Sequence, residues 1–339
     1  MVHIKKLDLA LQGGGSHGAY TWGVIDRLLE DDRIEIEGIS GTSAGAMNGV
    51  VMADALTRGD KETARKALRD FWHAVSRAGM TSPIRRSPLD VLTGNWSLDH
   101  SPGYIAMDLM SRLVSPYQFN PLNINPLRDI VAEHVDFERV RRCEQLKLFV
   151  AATNVRTGKQ RVFRREEMSI DAVMASACLP FVFQAVEIEG DAYWDGGYMG
   201  NPALFPLMEE CTARDIMLVQ INPVSRDDVP TSASAIMNRL NEITFNASLI
   251  KEIRMIALLK HAFEEQGIEN SYQQALFHRI SGEQALENLS VSSKMNAEWP
   301  FLCHLFEQGR DAAERWLAEH FEALGNYSSL DIDAVYLHE

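Results

Sequence analysis

Gly41-Thr42-Ser43-Ala44-Gly45 is a G-x-S-x-G pentapeptide set between a short apolar run and a helix-like run. A serine on a sharp strand-to-helix turn is held clear of the backbone, where its oxygen can attack a carbonyl. The helix that follows would aim its positive end at that oxygen. Further upstream stands Gln12-Gly13-Gly14-Gly15-Ser16-His17-Gly18, between a strand-like run at 7–11 and a helix-like run at 19–29. Four glycines in six residues leave backbone N–H groups uncovered over a helix start, a natural receiver of negative charge. The amides of Gly14, Gly15 and Ser16 would face an oxyanion formed at Ser43. Such donors contribute about 2.7–4 kcal/mol each in acyl-transfer sites.

A serine nucleophile needs a base, ordinarily a histidine oriented by a carboxylate. Ten histidines are present, and none stands in a loop placed for that role; His304 and His320 read as surface or packing residues. Tyr193-Trp194-Asp195-Gly196-Gly197 is the better candidate. Its aromatics would exclude water from the Asp195 carboxylate, raising its pKa and making it a stronger base. Gly13, Gly15 and Gly18 also satisfy G-x-G-x-x-G, so a dinucleotide loop is the rival, with Glu35 or Glu37 as its acidic residue. The second strand runs into the Ser43 turn, however, which a dinucleotide site does not need. A Walker loop is excluded because no Gly-Lys-Ser/Thr follows.

In order and spacing, the glycine-rich loop, the G-x-S-x-G turn and the Asp-Gly-Gly motif resemble the patatin-like phospholipase family. The segment Ala175-Ser176-Ala177-Cys178-Leu179-Pro180 is similar to one this family carries upstream of its aspartate. The resemblance covers about the first 220 residues. It implies a Ser–Asp dyad without histidine, with Ser43 as nucleophile and Asp195 as base. It also places Gly13, Gly14 and Gly15 in the oxyanion loop beside Ser16, and makes Gly18, Gly41, Gly45, Gly196 and Gly197 the residues that shape the three motifs. One position departs: His17 stands where many members carry Arg or Lys. That removes a permanent charge next to the site, which would change which acyl head group is tolerated or make activity more pH-dependent through His17.

Strand-like stretches at 6–11, 34–39, 146–153, 160–164, 186–188 and 215–221 alternate with helix-like ones at 19–29, 44–56, 61–76, 126–133 and 170–177. Such alternation predicts an α/β fold, a three-layer α/β/α arrangement on a mostly parallel sheet, with both catalytic loops at the C-terminal ends of strands. The alternation in Ile34-Glu35-Ile36-Glu37 suggests a strand exposed on one side or near an edge. Residues 1–225 form the catalytic domain, interrupted at about 78–125 by a Pro-, Ser- and Asn-rich insertion that reads as a lid. Residues 226–339 form a mainly helical extension packed on the core. A long helix there runs to about Gln266, with Ile236, Leu240, Ile243, Ala247 and Ile250 on its packing face. A last helix opens at Gly309-Arg310 and ends near Leu324.

The net charge of −14 argues against a nucleic-acid partner, and a cluster such as Arg161, Arg164 and Arg165 reads as a solvated face. Cys143, Cys178, Cys211 and Cys303 lack metal-ligand spacing and read as reduced thiols. With no signal-peptide pattern and no apolar run of spanning length, a cytoplasmic protein is expected, with peripheral membrane contact and homo-oligomerisation left open. The function these residues support is a serine acyl-ester hydrolase, a phospholipase or lipid esterase, needing no metal or cofactor. The alternatives are an intracellular polyester (hydroxyalkanoate) depolymerase and a non-catalytic scaffold that keeps the fold; a dinucleotide-dependent oxidoreductase ranks last.

Overall fold

The structure is a computed structural model describing residues 4–268 and 270–337. Eight strands form one sheet: β1 (Lys5–Leu11), β2 (Ile34–Gly41), β3 (Lys147–Asn154), β4 (Gln160–Arg164), β5 (Val186–Ile188), β6 (Asp191–Asp195), β7 (Asp215–Gln220) and β8 (Leu276–Ser281). The run β3-β2-β1-β7-β8 is parallel throughout. Strands β4 and β6 lie antiparallel to β3, and β5 antiparallel to β6. Helices cover both faces, as the alternation of elements predicts. Strand β2 is an interior strand between β1 and β3 rather than an edge. Its acidic residues sit in the N-terminal half, where Glu37 pairs with Lys147 at 2.9 Å and Glu35 is exposed. The alternation therefore reports the end of the strand near solvent, not the edge of the sheet.

Two registers matter for function. Leu11 of β1 pairs with Gly41 of β2 and with Val219 of β7, so three parallel strands end level. Strand β2 pairs with β3 only as far as Val150, and β6 pairs with Ala152, Thr153 and Asn154. Because β4 occupies the other edge of β3 at residues 149–153, β6 must take over the edge that β2 leaves. Its last residue, Asp195, therefore lies just beyond the turn that ends β2.

The insertion carries a series of short helices. Short helices Pro88–Thr93, Pro102–Leu113 and Pro116–Phe119 each start at a Ser-Pro pair, and Pro126–His134 starts at Asn-Pro. Pro is tolerated in a first turn, where its missing N–H has no helical partner to lose, and Ser or Asn caps that turn. The insertion exposes Leu89, Leu92, Ile105, Leu109 and Leu113, and Arg86 ties it to Glu298 at 2.6 Å.

Past residue 225 the chain contributes more than helices, since β8 extends the sheet beside β7. The long helix Ala233–Gln266 is present at the expected length. Its core face is not the expected one: Phe245, Leu249, Ile253 and Ile256 are buried, whereas Ile236, Leu240 and Ile243 are exposed. Buried Glu242 and Asn246 share the inward side, which disguises it as polar in the sequence. The last helix, Trp299–His320, opens ten residues earlier than expected, with Pro300 in its first turn and Gly309 in its middle. Gly309 is there for contact. A Cβ on it would collide with the Tyr20 carbonyl of helix α1 (Gly18–Glu30), and one on Gly23 with the Phe306 carbonyl. The two helices meet backbone to backbone.

Gly309→Ala would gain about 1 kcal/mol of helix propensity but force this contact apart, at about 1–3 kcal/mol. The urea midpoint is expected to fall, and an unchanged or raised midpoint would show that the contact can relax.

Candidate active site

The G-x-S-x-G segment forms the turn between β2 and helix α2 (Ala44–Arg58). Ser43 has φ 53° and ψ −117°, a strained backbone for a residue bearing a Cβ. Three contacts hold it there. Ser43 N–H donates to Ser176 Oγ at 2.9 Å, Thr42 N–H to the Leu11 carbonyl at 3.2 Å, and Thr42 Oγ1 to the Gly200 carbonyl at 2.6 Å. Ser176 thus has a defined task that its family-like segment only hinted at.

The glycine-rich loop leaves β1 beside this turn. At Gly13 a Cβ would stand 2.8 Å from both Ser43 Cβ and the Thr42 carbonyl, so only glycine lets the two loops touch. Gly13 itself offers no free donor, because its N–H is bound by Asn201 Oδ1 at 2.6 Å; its place in the oxyanion group is corrected to that of a spacer. Among the described residues, the N–H groups of Gly14, Gly15 and Ser16 have no protein acceptor, and all three residues line the cavity that contains Ser43. Their amides are the available donors.

Beneath the loop lies a buried amide network. Gln12 Oε1 accepts from the N–H groups of Ile221 and Asn222, each at 2.9 Å, and Gln12 Nε2 donates to Asn246 Oδ1 at 3.0 Å. Asn222 Nδ2 donates to the Gly13 carbonyl at 2.9 Å. Gln12 and Asn222 are both buried, and a satisfied buried network of this kind fixes geometry firmly. Sequence reasoning missed Asn201, Asn222 and Asn246, whose isolated side chains carry no motif.

Asp195 is 1% exposed at the end of β6, and the next residues form a tight turn in which Gly197 N–H donates to Asp195 Oδ1 at 2.7 Å. Gly196 lies against the Ala151 carbonyl and Gly197 against the Phe245 ring, leaving no room for a Cβ at either. Burial pushes the Asp195 carboxyl up to about 7, partly offset by the Gly197 N–H and the nearby Ser43 hydroxyl. Ser43 and Asp195 line one cavity of about 300 Å³, whose walls include Met47, Phe71, Tyr104, Leu127 and Phe183. Tyr104 and Leu127 come from the insertion and its immediate continuation.

His17 stands elsewhere. It is buried, with Nε2 at 2.7 Å from Ser293 Oγ, and desolvation pushes its imidazole down to about 3. A neutral imidazole clamped to Ser293 neither supplies charge nor titrates near neutrality, so the expected pH dependence through His17 is overturned. Lys294, which the sequence did not single out, is the cation of the cavity. The side chains of Arg161, Arg164 and Arg165 are paired with Glu167, Glu210 and Glu166, and the four cysteines are free. Among the described residues there is no His/Cys/Asp/Glu group suited to a metal, and no helix is long and apolar enough to cross a membrane.

No curated protein is a significant match to this sequence. Among solved structures the chain is similar to VipD from Legionella pneumophila (16% identity, TM-score 0.45), with 94% of this chain and 67% of that one covered. It is also similar to the type III effector ExoU (15% identity, TM-score 0.37), with coverage of 94% and 53%. The ExoU–SpcU complex from Pseudomonas aeruginosa gives 16% identity and a TM-score of 0.33, with 95% of this chain and 61% of that one covered. The chain thus spans between about half and two thirds of the lengths of these proteins. The sequence model of the patatin-like phospholipases matches residues 9–208, which hold the glycine loop, the Ser43 turn and the Asp195 turn, and on that match the chain belongs to the patatin-like phospholipase family.

Proposed function

We propose that the protein is a serine acyl-ester hydrolase acting on lipid esters, with Ser43 as nucleophile and Asp195 as its base. One observation carries this reading: a serine on a strained turn and a buried carboxyl poised near neutrality share a mainly apolar cavity edged by unpaired amides. Asp195 takes the Ser43 proton as Oγ attacks the ester carbonyl. The amides of Gly14, Gly15 and Ser16 receive the oxyanion, which collapses with expulsion of the alcohol, protonated by Asp195. Water then adds to the acyl-enzyme with Asp195 again as base, releasing the acid and restoring Ser43. Apolar walls suit an acyl chain, and the insertion at about 78–125 forms one of them, as a lid would. In this reading residues 1–225 form the catalytic domain and 226–339 complete it, in a cytoplasmic protein acting on lipid esters.

Hydrolysis of p-nitrophenyl esters from acetate to palmitate, with fluorophosphonate labelling, tests this. Ser43→Ala is expected to abolish labelling and turnover. Asp195→Asn should lower kcat by at least about 10³-fold, the scale for losing a member of such a unit. Full activity in either variant would overturn the assignment. Octanoate or longer esters should be preferred; a preference for short hydroxyacyl esters would instead point to a polyester.

The base must be ionised to act. Because the Asp195 carboxyl is raised to about 7, kcat/KM should be low at pH 5.5 and rise through about pH 7. A rate already maximal at pH 5 would exclude Asp195 as the base.

A further inference from the structure

Lys294 lies in the segment Val291–Met295, well beyond the region that matches the family. Lys294 is half-buried and lines the cavity that holds Ser43 and Asp195. Two of its protons are given to neutral acceptors, Asn222 Oδ1 at 2.8 Å and Asn241 Oδ1 at 2.9 Å. Nζ also stands 5.4 Å from the centroid of the Phe245 ring. Among the described residues it makes no ion pair. A half-buried ammonium clamped by amides rather than a carboxylate retains its charge for something else.

The segment is fastened to the glycine loop itself. Gly15 has φ +58°, and a Cβ there would strike the Lys294 carbonyl. Next door, His17 holds Ser293. Asn222, which clamps the ammonium, also supports the Gly13 carbonyl. The loop that offers the oxyanion donors and the cation are therefore one rigid unit.

Resting on the reading of Ser43 and Asp195 as nucleophile and base, we propose that Lys294 is a positioning residue for the reaction, the counter-charge of the dyad, delivered to the site by the C-terminal region. The charge balance explains why one cation serves both ends of the step. Before attack, the negative charge is on Asp195. As Oγ bonds to the carbonyl carbon, the serine proton moves to Asp195 and the electron pair of the carbonyl bond moves to its oxygen. Net charge in the cavity is unchanged, and the negative charge has crossed from the carboxylate to the oxyanion. A fixed cation on the wall stabilises both locations and spares the buried site from holding an uncompensated anion.

The charged groups around Lys294 are few. Glu242 faces it but is held by Arg226 and Arg239 at 2.6 and 3.1 Å, His17 is neutral, and Asp195 is the acid across the cavity. Burial pulls the ammonium down to about 8, opposed by Glu242 and Asp195. Wild-type activity should consequently fall again above about pH 8, as the counter-charge is lost.

Steady-state hydrolysis of p-nitrophenyl octanoate from pH 5.5 to 9.5, with melting curves, compares wild type, Lys294→Met, Lys294→Arg and Ser43→Ala. In Lys294→Met, kcat should drop about 10- to 100-fold with KM within threefold. Its rising limb should move to higher pH and its alkaline fall should vanish. Lys294→Arg should restore most of kcat and displace the alkaline fall upward by more than one pH unit, because a guanidinium stays charged. A folded Lys294→Met with the wild-type kcat and profile overturns the proposal. So does an alkaline limb unmoved by arginine, which decides the matter even if the methionine variant fails to fold. Activity remaining in Ser43→Ala would instead sink the parent reading, so the two failures are distinguishable.

Discussion

Everything in the site depends on an edge of one strand. Strand β3 outruns β2, and beyond Val150 its backbone needs new partners on that side. A buried strand edge without partners is costly, and β6 answers the need by entering antiparallel. Its arrival fixes Asp195 opposite Ala152, in the space into which the Ser43 turn projects. Residues 152 positions apart in the chain are thus set by ladder hydrogen bonds rather than by side-chain packing. Backbone ladders are stiff, which suits the proton exchange proposed between these two groups.

The second constraint is electrostatic. A carboxyl stripped of water is driven toward neutrality, and a base that is neutral cannot act. The rise at Asp195 is limited to about 7 by a short list of favourable influences: the Gly197 amide, the nearby Ser43 hydroxyl and the charge of Lys294. The amide network under the glycine loop matters for the same reason. Gln12 and Asn222 use their capacity on backbone groups of two adjacent loops, leaving the Gly14–Ser16 amides outward and unpaired.

Ser43, Asp195 and the glycine loop were legible in the sequence because each combines a chemically distinctive residue with glycines that permit close approach. The parallel sheet was legible from strands and helices in alternation. What stayed hidden has physical reasons. Strand β8 forms by pairing with β7, a partner about 60 residues away, and its own periodicity is weak. The inward face of Ala233–Gln266 is broken by Glu242 and Asn246, so an apolar count selects the wrong side. Gly309 looks like a helix start only when the Tyr20 backbone is out of view. Lys294 belongs to no motif; its meaning comes from burial beside Asn222 and Asn241, which no spacing rule encodes. His17 misled for the opposite reason, since a histidine in a catalytic loop invites a titrating role that its complete desolvation denies.

The bond between His17 and Ser293 joins residues 276 positions apart. A ribosome adding roughly 5–20 residues per second needs on the order of tens of seconds to cover that distance. Once Gly197 has been added, the glycine loop, the serine turn and the aspartate turn have all been made, while the wall carrying Lys294 has not. Contacts of such long sequence separation also form late in folding. A growing chain therefore carries the serine and aspartate turns before it carries the wall that faces them, and the cavity is completed only after Ser293 and Lys294 have been added.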